Sequence, residues 1–335
     1  MERFVFIAAV TIAILFGIGA VVGGPKFHWG DVDFDGGAAP VVATTAGRLE
    51  PQAHQGEDLS LRHLVAIVTI TPEDRADYLV EIDSPGGTPM PTVSSSDGRV
   101  TVDGQLKGRI SQCNEDGSAD LRGYDDITYV NLPRVNIRAP RALRISRSGA
   151  GRTEIGPTET LTLELSGCGA VTAGDTAGAL VLDVAGSGDV QAGAARRLNA
   201  DVAGSADVVV GAVSEGADVD IAGSGSVTIA SLNGELSADG AGSGQVSVGS
   251  GAITRANVDL AGSGGVDIAA TVQTLNVSIV GSGDVDVAST VGDIEAEIAG
   301  SGSVKAQAVT GSVREESFGS GDVIIGGQPS GGRTP

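Results

Sequence analysis

A phrase of the form Ala-Gly-Ser-Gly returns through the C-terminal half of the chain at almost constant spacing. Its middle residues lie 18 to 20 residues apart, and a weaker copy around Ala150 lies 18 residues before the first. The nine clear centres are Cys168, Ser187, Ser205, Ser224, Ser243, Ser263, Ser282, Ser301 and Ser320. A catalytic loop occurs once in a domain, whereas a fixed period indicates stacked structural repeats. The phrase is therefore predicted to be a corner in the chain.

The residues around each centre alternate between apolar and polar types with a period of two. Every copy has valine three residues after its centre, from Val171 to Val323, and the positions three, five and seven residues before it are largely apolar. This alternation is typical of strands with one buried face. A period near 19 residues is too short for a strand, a helix and their loops. The pattern therefore predicts an all-β solenoid, with one coil of a parallel β-helix per repeat and rungs about 4.8 Å apart.

Composition and charge restrict the function. The 335 residues include 52 glycines and only 3% aromatic residues, so the core must be built from small and β-branched side chains. The formal net charge is −21. Nucleic acid is excluded as a partner, because phosphate backbones require clustered lysine and arginine. An acidic surface instead favours divalent cations or basic partners.

The N-terminal segment predicts export. Arg3 precedes an apolar run over residues 4–22, which is long enough for a hydrophobic helix that crosses a membrane. We expect a tether at residues 4–22 and a periplasmic or cell-surface location, with a cleaved signal peptide as the alternative. The predicted organisation is a signal peptide or anchor at 1–24, a flexible linker at 25–60, β-rich first coils or a cap at 61–147, β-helix repeats at 148–325 and a flexible tail at 326–335.

Two cysteines accompany this exported chain. In an oxidising compartment Cys113 and Cys168 can form one disulfide, although their spacing also allows two unpaired residues. The disulfide is a hypothesis that rests on the compartment and on Cys168 replacing the corner serine of the first clear coil.

Several phrases resemble a known family, the putative autotransporter adhesin head GIN domain of bacterial envelope proteins. They are "VAIVTITPEDRADYLVEI", "DGRVTVDG", "VNIRAPRALRISRSGAG" and the succession of "AGSGDV"-like corners. The resemblance covers roughly residues 60 to 325. It implies a right-handed parallel β-helix, exposure at the cell envelope and an adhesive role, and it brings no catalytic or binding residues to this chain.

One polar column predicts a surface feature. Four residues before each centre the chain has an acidic residue in eight of nine copies, with serine in the ninth. These acidic residues, called here the acidic stripe, are Glu164, Asp183, Asp201, Asp220, Asp239, Asp259, Glu297 and Glu316. Like charges one rung apart repel by about 0.9 kcal/mol per pair in bulk water. Either solvation and salt offset this cost, or the stripe collects divalent cations such as Ca²⁺ or docks a basic partner.

Catalysis is not predicted. The three histidines, His28, His54 and His63, precede the repeats, so the corner serines have no partner for a hydrolase triad. A polysaccharide lyase or hydrolase would need long loops to build a cleft, but the period stays at 18 to 20 residues. We therefore predict no catalytic or cofactor-binding residues. The expected function is structural or adhesin-like, with envelope or surface components, glycans or basic proteins as partners; a carbohydrate or cation binding module is the alternative, and a polysaccharide enzyme the third.

Overall fold

The computed structural model describes residues 42–114, 118–124 and 128–330. Its regular structure in these ranges is strand, apart from one 3-10 turn at Tyr129–Asn131. The N-terminal strands are β1 Gly47–His54, β2 Asp58–Glu73, β3 Tyr78–Ser84, β4 Thr92–Ser96, β5 Arg99–Asp103, β6 Ile110–Cys113, β7 Ala119–Leu121 and β8 Arg134–Pro140.

The repeats supply the remaining strands. These are β9 Ala142–Ile155, β10 Thr160–Gly167, β11 Ala170–Ala173, β12 Thr176–Gly186, β13 Val190–Ala192, β14 Ala195–Gly204, β15 Asp207–Gly223, β16 Ser226–Gly242, β17 Gln245–Val248, β18 Gly251–Gly262, β19 Gly265–Ile268, β20 Thr271–Gly281, β21 Asp284–Gly300, β22 Ser303–Val309, β23 Val313–Gly319, β24 Asp322–Ile325 and β25 Gln328–Pro329. From β9 to β24 the pairings are parallel and join equivalent residues of successive coils, as in Leu182↔Ala200. The predicted all-β parallel solenoid with coils of about 19 residues is confirmed.

The core consists of columns of small and branched side chains that stack along the solenoid. The valine column is the most regular, and each of its members is at most 4% exposed. It contains Val171, Val190, Val208, Val227, Val246, Val266, Val285, Val304 and Val323. Identical side chains in register fill a narrow interior, and over residues 142–330 the only aromatic side chain, Phe318, is exposed. This explains how a chain with few aromatics buries a continuous core.

Each Gly-Ser-Gly corner joins two strands and links one coil to the next. The glycine before the centre has a positive φ in all ten coils, for example 124° at Gly242. From Gly167 to Gly319 a side chain there would meet the carbonyl oxygen of the equivalent glycine in the preceding coil, and at Gly149 it would meet that of Leu64. The following serine amide donates to that same carbonyl oxygen, as in Ser243 N to Gly223 O at 2.8 Å. The corner is thus a stacking element of the backbone, as the spacing predicts.

The N-terminal strands form a further coil and a cap. Strand β2 pairs in parallel with β9 on one edge and with β5 and β8 on the other. Antiparallel pairings join β1 to β3, β3 to β8 and β4 to β5. The predicted linker over 25–60 is therefore wrong from Gly47 onward, because β1 pairs with the alternating strand β3 and β2 begins at Asp58.

The last coil ends in a short antiparallel pair. Strand β25 pairs with β24 through Ile325↔Gln328 and Ile324↔Pro329. The predicted flexible tail over 326–335 is therefore wrong at its beginning, because Gly326 and Gly327, both with positive φ, turn the chain back onto β24. The predicted hydrophobic helix, anchor or signal over 1–24 lies outside the described residues. Within the described ranges no helix is long and apolar enough to cross a membrane.

Cys113 and Cys168 are joined between the cap and the first clear coil. Their Cα atoms are 6.1 Å apart, and the bond links β6 to the corner after β10. A small apolar cluster that includes Val65, Leu106 and Leu132 packs beside both cysteines. The disulfide remains a prediction for the protein in solution.

The interior of the first coil contains one charged side chain that the sequence pattern did not predict. Arg147 stands in the column occupied by Leu165, Val184 and Val202 in the next coils, and it is 2% exposed. Its guanidinium donates to Ala150 O at 2.9 Å, but Nε and Nη1 have no hydrogen-bond partner. Burial lowers the pKa of Arg147 to about 10, so it stays charged at neutral pH.

We expect Arg147→Met to stabilise the protein by about 1 to 2 kcal/mol, because two unsatisfied donors and a buried charge are removed while chain length is kept. Urea denaturation of the two proteins measures the difference. Arg144→Met is the matched control, since Arg144 lies three residues earlier on the exposed face of the same strand. A loss of stability in Arg147→Met would show that the guanidinium has a stabilising partner.

Candidate functional site

The acidic stripe is continuous in the structure. Glu164 pairs in register with Asp183, and the pairing continues through Asp201, Asp220 and Asp239. It then passes through Asp259, Ser278, Glu297 and Glu316. The nine positions occupy equivalent places in successive coils. A column that is spread over 152 residues of sequence, from Glu164 to Glu316, is thus one straight line of side chains.

The stripe lies on the outer face of the longest strand in each coil. Its members are half-buried or exposed, whereas the residues directly before and after each of the five central aspartates are buried or half-buried parts of the core columns. On one side the stripe is flanked by a column of alanines, Ala185, Ala203, Ala222, Ala241 and Ala261. The other side carries mostly uncharged polar residues, with the ionisable exceptions Asp218, Glu295 and Arg314.

The five central members, called here the aspartate run, lie on adjacent rungs, and neighbouring members contribute to each other's pKa shifts. The run consists of Asp183, Asp201, Asp220, Asp239 and Asp259. Hydrogen bonding between neighbouring members, and between Asp259 and Ser278, contributes to the pKa shifts of the run. An ionised carboxylate only accepts hydrogen bonds, so two carboxyl groups can bond directly only if one is protonated. Hydrogen bonding between members of the run therefore requires that some of its carboxyl groups carry a proton.

The pKa values reflect this arrangement. Burial between neighbouring coils raises the pKa of Asp183 to about 7, with further contributions from the hydrogen bond to Asp201 and from nearby negative charge. The same causes, burial first, raise the pKa of Asp220 to about 8. Burial and the charge of Asp259 raise the pKa of Asp239 to about 6. Burial also raises the pKa of Asp259, against the hydrogen bonds from Asp239 and Ser278.

The stripe offers carboxyl groups in a line. Among the described residues, no group of three or more histidine, cysteine, aspartate or glutamate side chains is arranged to hold a metal ion. Oxygen ligands for Ca²⁺ must converge from several directions, whereas these carboxyls are one per coil. Cation binding by the stripe therefore remains a prediction.

The other candidate groups are far from a catalytic arrangement. Corner serines stack on each other, as in Ser282 Oγ and Ser301 Oγ at 3.1 Å. His54 Nδ1 lies 3.2 Å from Ser95 Oγ on exposed strands of the cap. Two open depressions of about 370 Å³ each lie along another corner of the coils. They are lined mainly by threonine and alanine, and the stripe does not contribute to either.

Comparison with protein families identifies the chain. The model of the putative auto-transporter adhesin, head GIN domain family matches residues 91–248 and 217–329. The chain belongs to this family. The two overlapping matches cover most of the solenoid of this GIN-domain chain, which agrees with the resemblance seen in its repeated corners. No match was found among curated proteins.

Solved structures also resemble this GIN-domain chain at low identity. A putative lipid binding protein from Parabacteroides distasonis is 16% identical, covering 82% of this chain and 96% of that chain with a TM-score of 0.32. A putative adhesin from Parabacteroides merdae is 14% identical, covering 84% and 96% with a TM-score of 0.38. A putative adhesin from Parabacteroides distasonis is 14% identical, again covering 84% and 96%, with a TM-score of 0.37. These scores are too low to carry an argument about this chain.

Sequence reasoning located every member of the stripe but missed how its carboxyls interact. It leaves two alternatives open, in which solvation and salt offset the repulsion or the stripe collects divalent cations or docks a basic partner. Neither includes the raised pKa values of Asp183, Asp220 and Asp239. The sequence does contain a signal for this interaction, since five consecutive coils have aspartate in the same column. At the other positions glutamate changes the side-chain length and serine removes the charge. The run places equal side chains on adjacent rungs about 4.8 Å apart, within reach of each other.

Proposed function

We propose that this chain is a non-enzymatic, adhesin-like protein of the cell envelope, exported and tethered by residues 4–22. Its solenoid presents a repetitive outer face to envelope or surface components. The observation that carries the proposal is the uniform coil, in which equivalent residues from Glu164 to Glu316 form one straight column without an inserted loop. Membership of a family described as a putative adhesin head domain supports it.

The uniform coils also favour a binding role over catalysis. Catalysis requires groups that converge on a reacting atom, usually in a concave site. Outward side chains of a parallel solenoid instead lie in parallel columns, as the stripe and its alanine neighbours do. Such a surface contacts an extended partner at many equivalent points, each of them weak. Adhesion by repeated weak contacts suits this geometry better than turnover of one bound molecule.

The net charge of the chain restricts the classes of partner that can bind to it. A net charge of −21 repels anionic polymers and attracts basic proteins, while neutral glycans are unaffected. The stripe adds carboxyl groups that can donate as well as accept hydrogen bonds when protonated. We therefore propose basic proteins or uncharged glycans as the partners of this face.

The test is binding of the purified full chain to a glycan array and to an immobilised basic protein, cytochrome c, with calcium or with a chelator. The stripe variant, Asp183→Asn with Asp220→Asn and Asp239→Asn, should lose most of the binding. The control variant, Glu154→Gln with Glu235→Gln and Asp286→Asn, removes three exposed carboxylates elsewhere and should retain it. Equal binding by both variants would exclude the stripe as the contact surface.

Two further results would change the assignment. Loss of binding with the chelator would favour the cation-binding module, in which Ca²⁺ bridges the stripe and its ligand. Release of soluble sugars from a glycan by the purified chain would show that the protein is a polysaccharide enzyme and not an adhesin.

Cell fractionation with N-terminal sequencing tests export and the tether at residues 4–22. A cleaved and soluble product would contradict the tether and support secretion alone.

A further inference from the structure

The last coil presents an open strand edge. Strand β23 pairs with β21 from Ile294↔Val313 to Gly300↔Gly319. Among the described residues, no strand pairs with its other edge, whereas the neighbouring strand β24 is covered by β25. Unpaired backbone donors and acceptors on such an edge are a template for another strand.

The hydrogen bonds to β21 determine which backbone groups face outward. Ile294 N donates to Ser312 O at 2.9 Å, so the backbone groups of Ser312 are directed at β21. Backbone directions alternate along a strand, so Arg314 and Glu316 are also directed at β21. Val313, Glu315 and Ser317 therefore direct their N–H and C=O groups to the open edge.

The side chains at this edge leave room for a partner. The Glu315 carboxylate points into its own coil, where it accepts hydrogen bonds from Val323 N and from Ser330 Oγ. Phe318 is the only phenylalanine among residues 42–330, and it is 61% exposed on the outer face of the last coil. Val313 is 36% exposed at the start of the same strand. Exposed aromatic side chains of this kind are enriched at protein interfaces.

The charges on β23 are complementary to those of a second β23 in one antiparallel register, in addition to the ion pairs that Arg314 makes within its own chain with Glu295 Oε1 at 3.1 Å and with Glu316 Oε1 at 3.2 Å. If Glu315 pairs with Glu315 of a second copy across a two-fold axis, Arg314 of each copy lies opposite Glu316 of the other. A shift of one pairing step in either direction places Arg314 opposite Arg314, or Glu316 opposite Glu316. Opposite charges directly across a strand pair stabilise it, and like charges destabilise it. Only the first register brings opposite charges together twice. It also places Glu315 opposite Glu315, but both of these carboxylates are directed into their own coils, where Val323 N and Ser330 Oγ donate to them.

We propose that two copies of this chain associate end to end through antiparallel pairing of their β23 edges, in the register that places Arg314 opposite Glu316. The partner is thus a second copy, and the contact is isologous. It goes beyond the proposed adhesion through the stripe, which lies along the side of the coils. One pair of short strands is a small interface, so the association is expected at concentrations on the order of 10 to 100 µM.

Sedimentation velocity of the full chain in detergent solution tests the proposal. The wild-type protein should shift with concentration from a species of 33.2 kDa to one of twice that mass. Arg314→Glu and Glu316→Arg should each remain monomeric, because like charges then meet across the two-fold axis. An equimolar mixture of these two variants should form the dimer again, since each Arg then faces a Glu in the other protein.

Backbone pairing is tested separately. Ser317→Pro removes a donor that faces the open edge and leaves the bonds to β21 intact, so it should abolish dimerisation, whereas Ser317→Ala should not. Circular dichroism of each variant should match the wild-type spectrum, so that monomers are known to be folded. Melting temperatures should fall only slightly, because Arg314→Glu and Glu316→Arg alter exposed ion pairs and both Ser317 variants lose the hydrogen bond from Ser317 Oγ to Gly321 O. A wild-type protein that stays monomeric throughout this range, or a mixture of the charge variants that fails to associate, would overturn the proposal.

Discussion

Gly242→Ala is expected to lower the free energy of unfolding by about 3 kcal/mol. Two effects add. Gly242 has φ of 124°, a region of backbone conformation that alanine adopts only with strain. The new methyl group would also point at the carbonyl oxygen of Gly223 in the preceding coil, which is the acceptor for the Ser243 amide. The coil must shift to relieve the contact, and the stacking bond then weakens.

Denaturation in urea, followed by circular dichroism, measures this loss. Gly47→Ala is the matched control, because Gly47 has no positive φ and an added methyl group would meet only Met90 Sδ at 3.8 Å. We expect the control to stay within about 0.5 kcal/mol of wild type. If both substitutions cost the same, the corner would not depend on glycine and the stacking argument would fail.

The second large effect is a rise in stability as the pH falls from 8 to 5. The pKa of Asp183, Asp220 and Asp239 is raised to about 7, 8 and 6 in the folded state, above the ordinary value of 3.8. Between pH 3.8 and these values the folded state binds more protons than the unfolded state, so unfolding becomes less favourable as protons are added. The stabilisation is complete near pH 4 and is lost as the pH rises through 6 to 8.

The expected gain is about 2 kcal/mol for the aspartate run as a whole, because solvent on the outer side screens each carboxyl group. For a chain of this size it corresponds to about 4 °C in melting temperature. The stripe variant should lose this dependence between pH 8 and pH 5, since asparagine does not titrate. The control variant should keep it, which separates the run from the general relief of negative charge at lower pH. A melting temperature that falls on acidification in the wild type would contradict the raised pKa values of the run.

The fold could be predicted from the sequence because one period fixes both the corner and the core. Once the Gly-Ser-Gly copies are aligned, Val171 to Val323 and the acidic stripe follow as columns, and the structure places both in register. Residues 47–54 were assigned to a linker because "GRLEPQAH" lacks an apolar alternation. Strand β1 depends instead on the partner strand β3, and such a dependence is not visible in a local pattern.

Two features, one in the interior and one on the outer face, depend on contacts that the sequence does not state. Arg147 occupies an inward-facing position of β9, and the alignment of the coils indicates this position. A charged side chain is not expected there, because the other members of the column are apolar. The raised pKa values of the aspartate run depend on partial burial between adjacent coils and on carboxyl side chains of equal length in one column. A count of charges at neutral pH treats each carboxyl group as ionised, so it does not include these pKa shifts.

The one-to-one register between coils has a consequence for the length of the molecule. Each coil contacts only the coils before and after it, and the corner glycine, the valine and the stripe position repeat at every step. Duplication or loss of one repeat, such as residues 224–242, would therefore restore the same contacts at the new junction. The span of the solenoid would change by one rung of about 4.8 Å, with no new interface to evolve. Unequal recombination between repeats of a gene of this kind can thus set how far its product reaches, without altering how it folds.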